Sequence, residues 1–435
     1  MNKELNHINA INEVALKINS SLKVYDVMNL IYQNLKKEMP ISFFIISSYY
    51  ENNDTVKVEY CVKKDQLVNE EFNTKSNNPN SLTAFTIKSK KEIIINDLSL
   101  DFNNYLQGKP QLHGKEDLWC ESVLMFPLVI QNKVIGLFSV QTESKNAYSL
   151  DNVNYLRLLT PFIGIALNNA YLYSSLEEKS NTIKIQNKDI IDSINYAKRL
   201  QDAILPQKKF IDQCVSQNFI YYKPKDIVAG DFYWAEKIEE KFFIAAADST
   251  GHGVPGAMVS VVCSNALNRT IKEFKLTETG KILDKTRDLV LETFEKSASE
   301  VKDGMDISLL CIDSKNKCIF WSGANNPLWY IQDAELKEIK ADKQPIGKTD
   351  FPKPFTTHEI EYKENTTFYL FTDGLADQFG GPNGKKFKYK QFSDLLIKNN
   401  NLSQKQQADI INKAFSDWKG DLEQVDDVCV IGIKL

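Results

Sequence analysis

FFIAAAD (Phe242–Asp248) followed by STGHGVPG (Ser249–Gly256) is an apolar strand pattern that ends on an acid and breaks into a glycine-rich turn. Three more aspartates stand at the tips of strand patterns: Asp231 in VAGDFYW (228–234), Asp373 closing TFYLFTD (367–373), and Asp426 opening DDVCVIGI (426–433). Desolvating an ionised carboxylate beside a buried strand costs on the order of several kcal/mol. A divalent cation offsets that cost, and oxygen-only ligands favour a hard ion such as Mg²⁺ or Mn²⁺. The pattern points to a metal-dependent hydrolase of phosphate esters.

The chain has 435 residues, room for two or three domains, and is 43% hydrophobic and 25% charged, an ordinary soluble balance. A formal net charge of −4 argues against a dominant nucleic-acid footprint. Apolar runs such as ISFFIIS (41–47) and FIGIAL (162–167) fall far short of the roughly 20 residues that span a bilayer. The first twenty residues read as an amphipathic helix without a signal-peptide core. Seven scattered cysteines with no CxxC pair fit free thiols in a reducing cytoplasm.

Residues 1–170 read as an α+β module. Helical patterns at about 5–19 and 25–38 precede the strands ISFFIISSYY and VKVEYCV, a helix near 80–90 and the strand EIIIND. The strands SVLMFPLVI and KVIGLFSVQ meet at Gln131-Asn132, a hairpin signal, and a helix closes the module from about 150. This succession resembles a GAF domain, a small ligand-sensing module with an α/β sandwich fold. The resemblance leaves the ligand unknown. Cys61, Cys120 and His113 are the obvious handles for a tetrapyrrole or metal, and they read first as core or loop residues.

From 171 to 209 the chain is polar and helix-favouring. Leu176, Ile183, Ile190, Ala197 and Ile204 recur every seven residues, the spacing of one coiled-coil seam position. The companions four residues on, Ser180, Asn187, Ile194 and Gln201, are mostly polar. Either a marginal parallel helix pair in a homodimer or a single helix lying on a flanking domain fits this half-filled seam.

In 210–435, runs of strands with helices inserted in pairs suggest a layered sandwich. VAGDFYW, AADSTGHGVPGAM, GMDISLLCID, SGANNPLWY, PIG, FTDGL and DDVCVIGI occur in the order and spacing of the SpoIIE/RsbU-type serine phosphatases, a bacterial branch of the PP2C fold. The similarity spans about 195–435 and includes the preceding INYAKRLQDAILP (194–206). The fold expected for the whole chain is α+β: a GAF sandwich, a helical linker with coiled-coil spacing, and an α-β-β-α phosphatase sandwich.

The resemblance implies two Mn²⁺ or Mg²⁺ ions, which activate water and clamp phosphoryl oxygens. It implies Asp248 as the bridging ligand, the Ser249 backbone carbonyl as its neighbour, and Asp373 and Asp426 as the remaining carboxylates. Asp231 is implied as a ligand or as an acceptor for a metal-bound water. Asp427 adjoins Asp426, but strand alternation lets only one of them reach the metals directly, and Asp426 is favoured. Asp306 would serve an additional metal or cap a turn. Lys225 would meet phosphate as a point charge or stay solvated, and His252 would act as a general acid or shape its loop. Two departures from the family pattern are Ala229 before Gly230 and Ala324 where the branch often has histidine. Cys263 and Arg269 match a Cys-x5-Arg spacing, but they sit in a helical apolar pattern whose amides cannot wrap phosphate, so Cys263 reads as core.

The expected function is a cytoplasmic, metal-dependent protein serine/threonine phosphatase without a phosphoenzyme, controlled by the GAF module through the linker. The resemblance implies a phosphoprotein substrate such as an STAS-like anti-sigma-factor antagonist in a partner-switching cascade. An inactive scaffold is the competing reading, and the family's regulatory element would lie at about 256–274.

Overall fold

The computed structural model describes residues 8–9, 11–17, 24–68, 73–75, 80–107, 120–295 and 303–435. The expected helix at 5–19 is seen as helical residues 8–9 and 11–17, and His113 lies outside the described residues. Contacts divide the chain into two units, Met1–Ile185 and Gln186–Leu435.

In the first unit Val27, Met28, Ile31 and Leu35 line one face of helix α1 (Val24–Glu38). That face is buried against a sheet of β1 (Phe43–Tyr50), β2 (Thr55–Lys63), β3 (Ile93–Ile95), β4 (Ser122–Ile130) and β5 (Lys133–Thr142). The antiparallel order is β2-β1-β5-β4-β3, with Gln66–Leu67 and Asn73–Lys75 added on β2. The expected β4–β5 turn places Gln131 at φ 46° and Asn132 at φ 69°, both in the left-handed region that tight hairpins require. The opposite sheet face buries Ile93, Ile95, Val123, Met125 and Leu137 with Ile87 of helix α2 (Leu82–Ser89). Cys61 and Cys120 are buried free thiols, in keeping with core residues.

Helix α3 (Leu150–Ile204) is continuous over 55 residues. Leu156, Leu159, Ile163 and Leu167 join the core of the first unit. Farther on, Leu176, Ile183 and Ile190 are 65%, 56% and 57% exposed, so the heptad seam is an uncovered apolar stripe. Gln201, at a companion position, is only 2% exposed.

The second unit takes in the end of α3, continues with helix α4 (Lys208–Cys214) and holds two five-stranded antiparallel sheets. Its strands are β6 (Asn218–Lys223), β7 (Phe232–Ile238), β8 (Lys241–Ser249), β9 (Met305–Asp313), β10 (Cys318–Ala324), β11 (Leu328–Gln332), β12 (Glu335–Ile339), β13 (His358–Ile360), β14 (Thr367–Phe371), the short pair β15 (Phe379–Gly380) and β16 (Lys385–Lys386), and β17 (Val428–Lys434). One sheet runs β13-β10-β9-β8-β7 and the other β12-β11-β14-β17-β6.

The period of two explains why FFIAAA is apolar throughout. Phe242, Ile244 and Ala246 meet Phe368, Leu370, Cys429 and Ile431 of the other sheet. Phe243, Ala245 and Ala247 pack with Cys263, Leu267 and Ile271 of helix α5 (Gly253–Lys272) and Ile282 and Leu283 of helix α6 (Thr279–Glu295). Tyr369, Phe371 and Val430 turn outward to Phe392 and Leu396 of helix α8 (Lys388–Asn399) and Ile411 and Phe415 of helix α9 (Gln404–Lys419). A strand buried on both faces needs no polar alternation. The result is the expected α-β-β-α sandwich. A one-turn helix, α7 (Gly374–Asp377), leaves the end of β14.

Candidate active site

One end of this sandwich collects the acids. Asp248 and Asp306 are directly paired across β8 and β9, and like charges so placed repel. Alternation places both on the inter-sheet face that carries Ala246 and Leu310. Asp231 enters β7 with only 2% of its surface exposed. The other sheet supplies Asp373 just after β14, and Asp426 and Asp427 just before β17.

These carboxylates feel one another. Burial, then Asp248, pushes the Asp231 carboxyl well up, with Asp427 and Asp426 adding to it. Burial, then Asp373, Asp426 and Asp306, pushes Asp248 well up, against a side-chain hydrogen bond with Asp231. Asp373 is raised to about 6 by burial, Asp377, Asp426 and Asp306. The fully buried Cys429 thiol is pushed up by burial and then by Asp231 and Asp248. Asp231 Oδ2 and Ser249 Oγ are buried without a hydrogen-bond partner. An orphaned carboxylate oxygen on a residue that feels three other acids is the environment that a hard cation relieves, so the donor set fits such an ion. Among the described residues no three carboxylate, imidazole or thiol groups close a coordination set by themselves. The fold assembles converging negative charge rather than a finished cage.

The adjacent acids Asp426 and Asp427 do different things. Asp427 is 1% exposed, and its carboxylate accepts from the backbone N–H groups of Lys225 at 2.7 Å, Gly230 at 2.7 Å and Asp231 at 3.4 Å. Burial still raises its carboxyl, against those three donors. For Lys225 the structure therefore gives a backbone role. Asp426 accepts the N–H of its neighbour Asp427 at 2.8 Å, makes no such long-range clasp, and acts on Asp231, Asp248 and Asp373 alike.

The turn after β8 is held by contact between main chains. Gly251 sits at φ +82°, and a Cβ on Gly230 or Gly256 would collide with its carbonyl oxygen. The same Cβ on Gly230 would lie 3.2 Å from the Ser249 carbonyl oxygen, so this close approach demands glycine at 230. Ala229, the departure from the family run, instead presents its backbone elsewhere.

Gln201 is the residue that the sequence reading undervalued. Its Nε2 donates to the Ala229 carbonyl at 2.6 Å and to Ser260 Oγ at 3.2 Å, and the Ala229 N–H donates to Gln201 Oε1 at 3.1 Å. One side chain of α3 thus joins the chain entering Asp231 to helix α5. A polar seam position was the available signal.

Asn325 was also missed: beside the buried Ala324, it donates to Asp306 Oδ1 at 2.8 Å. His252 pairs with Asp226 at 3.2 Å and is exposed. Cys263 is fully buried with its thiol raised to about 12, and Arg269 pairs with Glu273. The burial of Cys263 fits its reading as core, while Arg269 lies at the surface. The Tyr389 phenol is raised to about 12 by burial and then by Asp373, Asp377, Asp248 and Asp306, which puts α8 at the edge of the site.

Residues 239–435 match the model of the stage II sporulation protein E family, and residues 23–168 match a GAF domain model. The SiaA-PP2C domain of Pseudomonas aeruginosa is 28% identical, with a TM-score of 0.53, over 57% of this chain and 98% of that one. The PP2C domain and regulatory fragment of SpoIIE from Bacillus subtilis is 18% identical, with a TM-score of 0.40, over 50% and 62%. No curated protein sequence matches. A sandwich with its acids at one end, a family match over that same sandwich and a GAF match before it agree: residues 239–435 form a stage II sporulation protein E-type domain that supports a PP2C-type serine/threonine phosphatase, and residues 23–168 form a GAF domain.

Proposed function

We propose that the enzyme is Mn²⁺- or Mg²⁺-dependent and removes phosphate from serine or threonine of a signalling protein, with a GAF module (1–170) acting through a linker (171–209) on the phosphatase domain (210–435). The observation that carries the reading is the convergence of acids from both sheets around the unpartnered Asp231 Oδ2. Asp231, Asp248, the Ser249 carbonyl, Asp373 and Asp426 would hold two cations, and Asp306 would complete an additional weak site. Bound cations supply a water of lowered pKa and charge stabilisation at the phosphoryl oxygens. The chain's own residues shape the place where this happens. Asp427 holds the backbone of Lys225–Asp231, Asn325 orients Asp306, and the Gly251 turn presents the Ser249 carbonyl.

Manganese-dependent hydrolysis of an aryl phosphate and of a phosphoserine peptide tests the reaction; a protein inert toward both with either cation would end it. An STAS-like anti-sigma-factor antagonist is the substrate proposed from the family resemblance. An Asp373→Asn trap is expected to retain such a phosphoprotein from a cell extract, and retention of no phosphoprotein would remove this assignment.

Regulation would pass through Gln201, and the exposed stripe of Leu176, Ile183 and Ile190 would pair in a homodimer. Gln201→Leu is expected to change kcat by about three- to thirtyfold and to shift manganese half-saturation. Deleting 1–170 with the linker retained is expected to alter the same quantities. Kinetics that stay constant in both proteins would dismiss the coupling.

A further inference from the structure

Beside the acids lies a feature of opposite charge. Residues 384–390 read GKKFKYK, with Lys385, Lys386, Lys388 and Lys390 all exposed. Lys386 is committed to the site: its ammonium lies 2.8 Å from Asp377 and over the Phe379 ring. Among the described residues Lys385, Lys388 and Lys390 make no ion pair within the chain. Two large aromatic side chains interleave with them, Phe379 at 41% and Tyr389 at 42% exposure.

A run of lysines is ordinarily a solvated surface. This one is fixed in place. Trp418 Nε1 donates to the carbonyls of Gln378 at 3.1 Å and Lys385 at 3.2 Å, and the Gly381 N–H donates to the Trp418 carbonyl at 2.7 Å. The fully buried Gln378 accepts from the Val425 N–H at 3.0 Å and donates to the Glu423 carbonyl at 2.9 Å. The lip is therefore fastened to the chain leaving Asp373 and to the chain entering Asp426. Lys388 holds φ +70°, in the left-handed region that a non-glycine residue rarely adopts. Rigid, cationic and aromatic, this edge borders a centre whose own charge repels anions.

We propose that the lip formed by Phe379–Lys390 docks the phosphoprotein substrate by engaging acidic residues that flank its phosphoserine or phosphothreonine. This rests on the phosphatase reading above and adds the substrate's local character. The lip offers lysines to the flanking carboxylates and aromatic faces to the peptide between them, while the phosphate lies over the aspartates.

The test uses the full-length enzyme with manganese and two synthetic phosphoserine peptides, one flanked by Asp and Glu, the other by Ser and Gln. Wild type is expected to favour the acidic peptide in kcat/KM by about tenfold, a preference that fades near 0.5 M salt as charges are screened. In K385E/K388E/K390E the ratio of the two kcat/KM values is expected to fall to about one or below. Should that variant lose all activity, K388Q/K390Q, checked for native circular dichroism, supplies the ratio instead, and a partial fall is expected. A wild-type ratio near one, or a ratio unchanged in the variants, overturns the proposal. So does tighter binding of single-stranded DNA or anionic vesicles than of the acidic peptide. A wild type inert toward an aryl phosphate and both peptides overturns the phosphatase reading itself, and the docking role with it.

Discussion

Asp248→Asn and Asp373→Asn are each expected to lower manganese-dependent kcat/KM for an aryl phosphate by roughly a hundredfold or more, since each removes a carboxylate proposed to hold the cation pair. In excess chelator the same changes should stabilise the fold, because each removes one member of a mutually repelling set. For Asp373 the size can be bounded. Its carboxyl moves from 3.8 to about 6, and two pKa units correspond to about 3 kcal/mol. The folded form binds the extra proton between those values, so its stability falls as pH rises through that window and the loss is complete above about 6. Chelated wild type should therefore melt higher near pH 5 than near pH 7.5, and manganese, which needs the ionised carboxylates, should restore more at the higher pH. Asp373→Asn should flatten the profile. Melting curves in chelator and in manganese across this range decide the matter; a flat wild-type profile, or equal protection of both proteins by manganese, would contradict the assignment.

Asp427→Ala, by contrast, is expected to cost about 3–5 kcal/mol of stability whether or not metal is present. Its carboxylate is the acceptor for the Lys225 and Gly230 N–H groups at 2.7 Å each and for Asp231 at 3.4 Å, in a place that water does not reach. Removing it orphans those donors and frees the segment that carries Asp231. A fall in melting temperature of roughly 10 °C is the expected reading for a domain of this size. Asp427→Asn keeps one acceptor oxygen and should lose less. Asp426→Ala should do the reverse: little loss of melting temperature in chelator, with activity largely gone. If Asp426→Ala unfolds the domain and Asp427→Ala merely slows it, the two neighbours exchange roles.

The sandwich was legible because its signal is local. In Phe242–Ala247 and Phe368–Phe371 the doubly buried strands are apolar throughout, and the acids that close these stretches, Asp248 and Asp373, mark the site. The short strands Glu335–Ile339 and His358–Ile360 were not read, because edge strands are brief and half-exposed and carry little apolar pattern. The heptad in 176–204 gave the helix and its exposed stripe, but a heptad position does not say which neighbour a side chain will find. Gln201 read as a weak seam residue, whereas it holds Ala229 and Ser260.

From the order of residues alone came the domain succession, the layered fold and the acids that belong together, since strand period and motif spacing are properties of neighbours along the chain. Which of two adjacent acids the backbone claims was decided only in three dimensions. Alternation says that one of Asp426 and Asp427 must turn away, and it is the backbone of Lys225 and Gly230, some 200 residues earlier, that claims Asp427. The basic lip likewise gains its meaning from Trp418 and Gln378, which fasten it beside Asp373. Partners of a buried polar group are chosen by proximity after folding, and spacing along the chain carries no record of that choice.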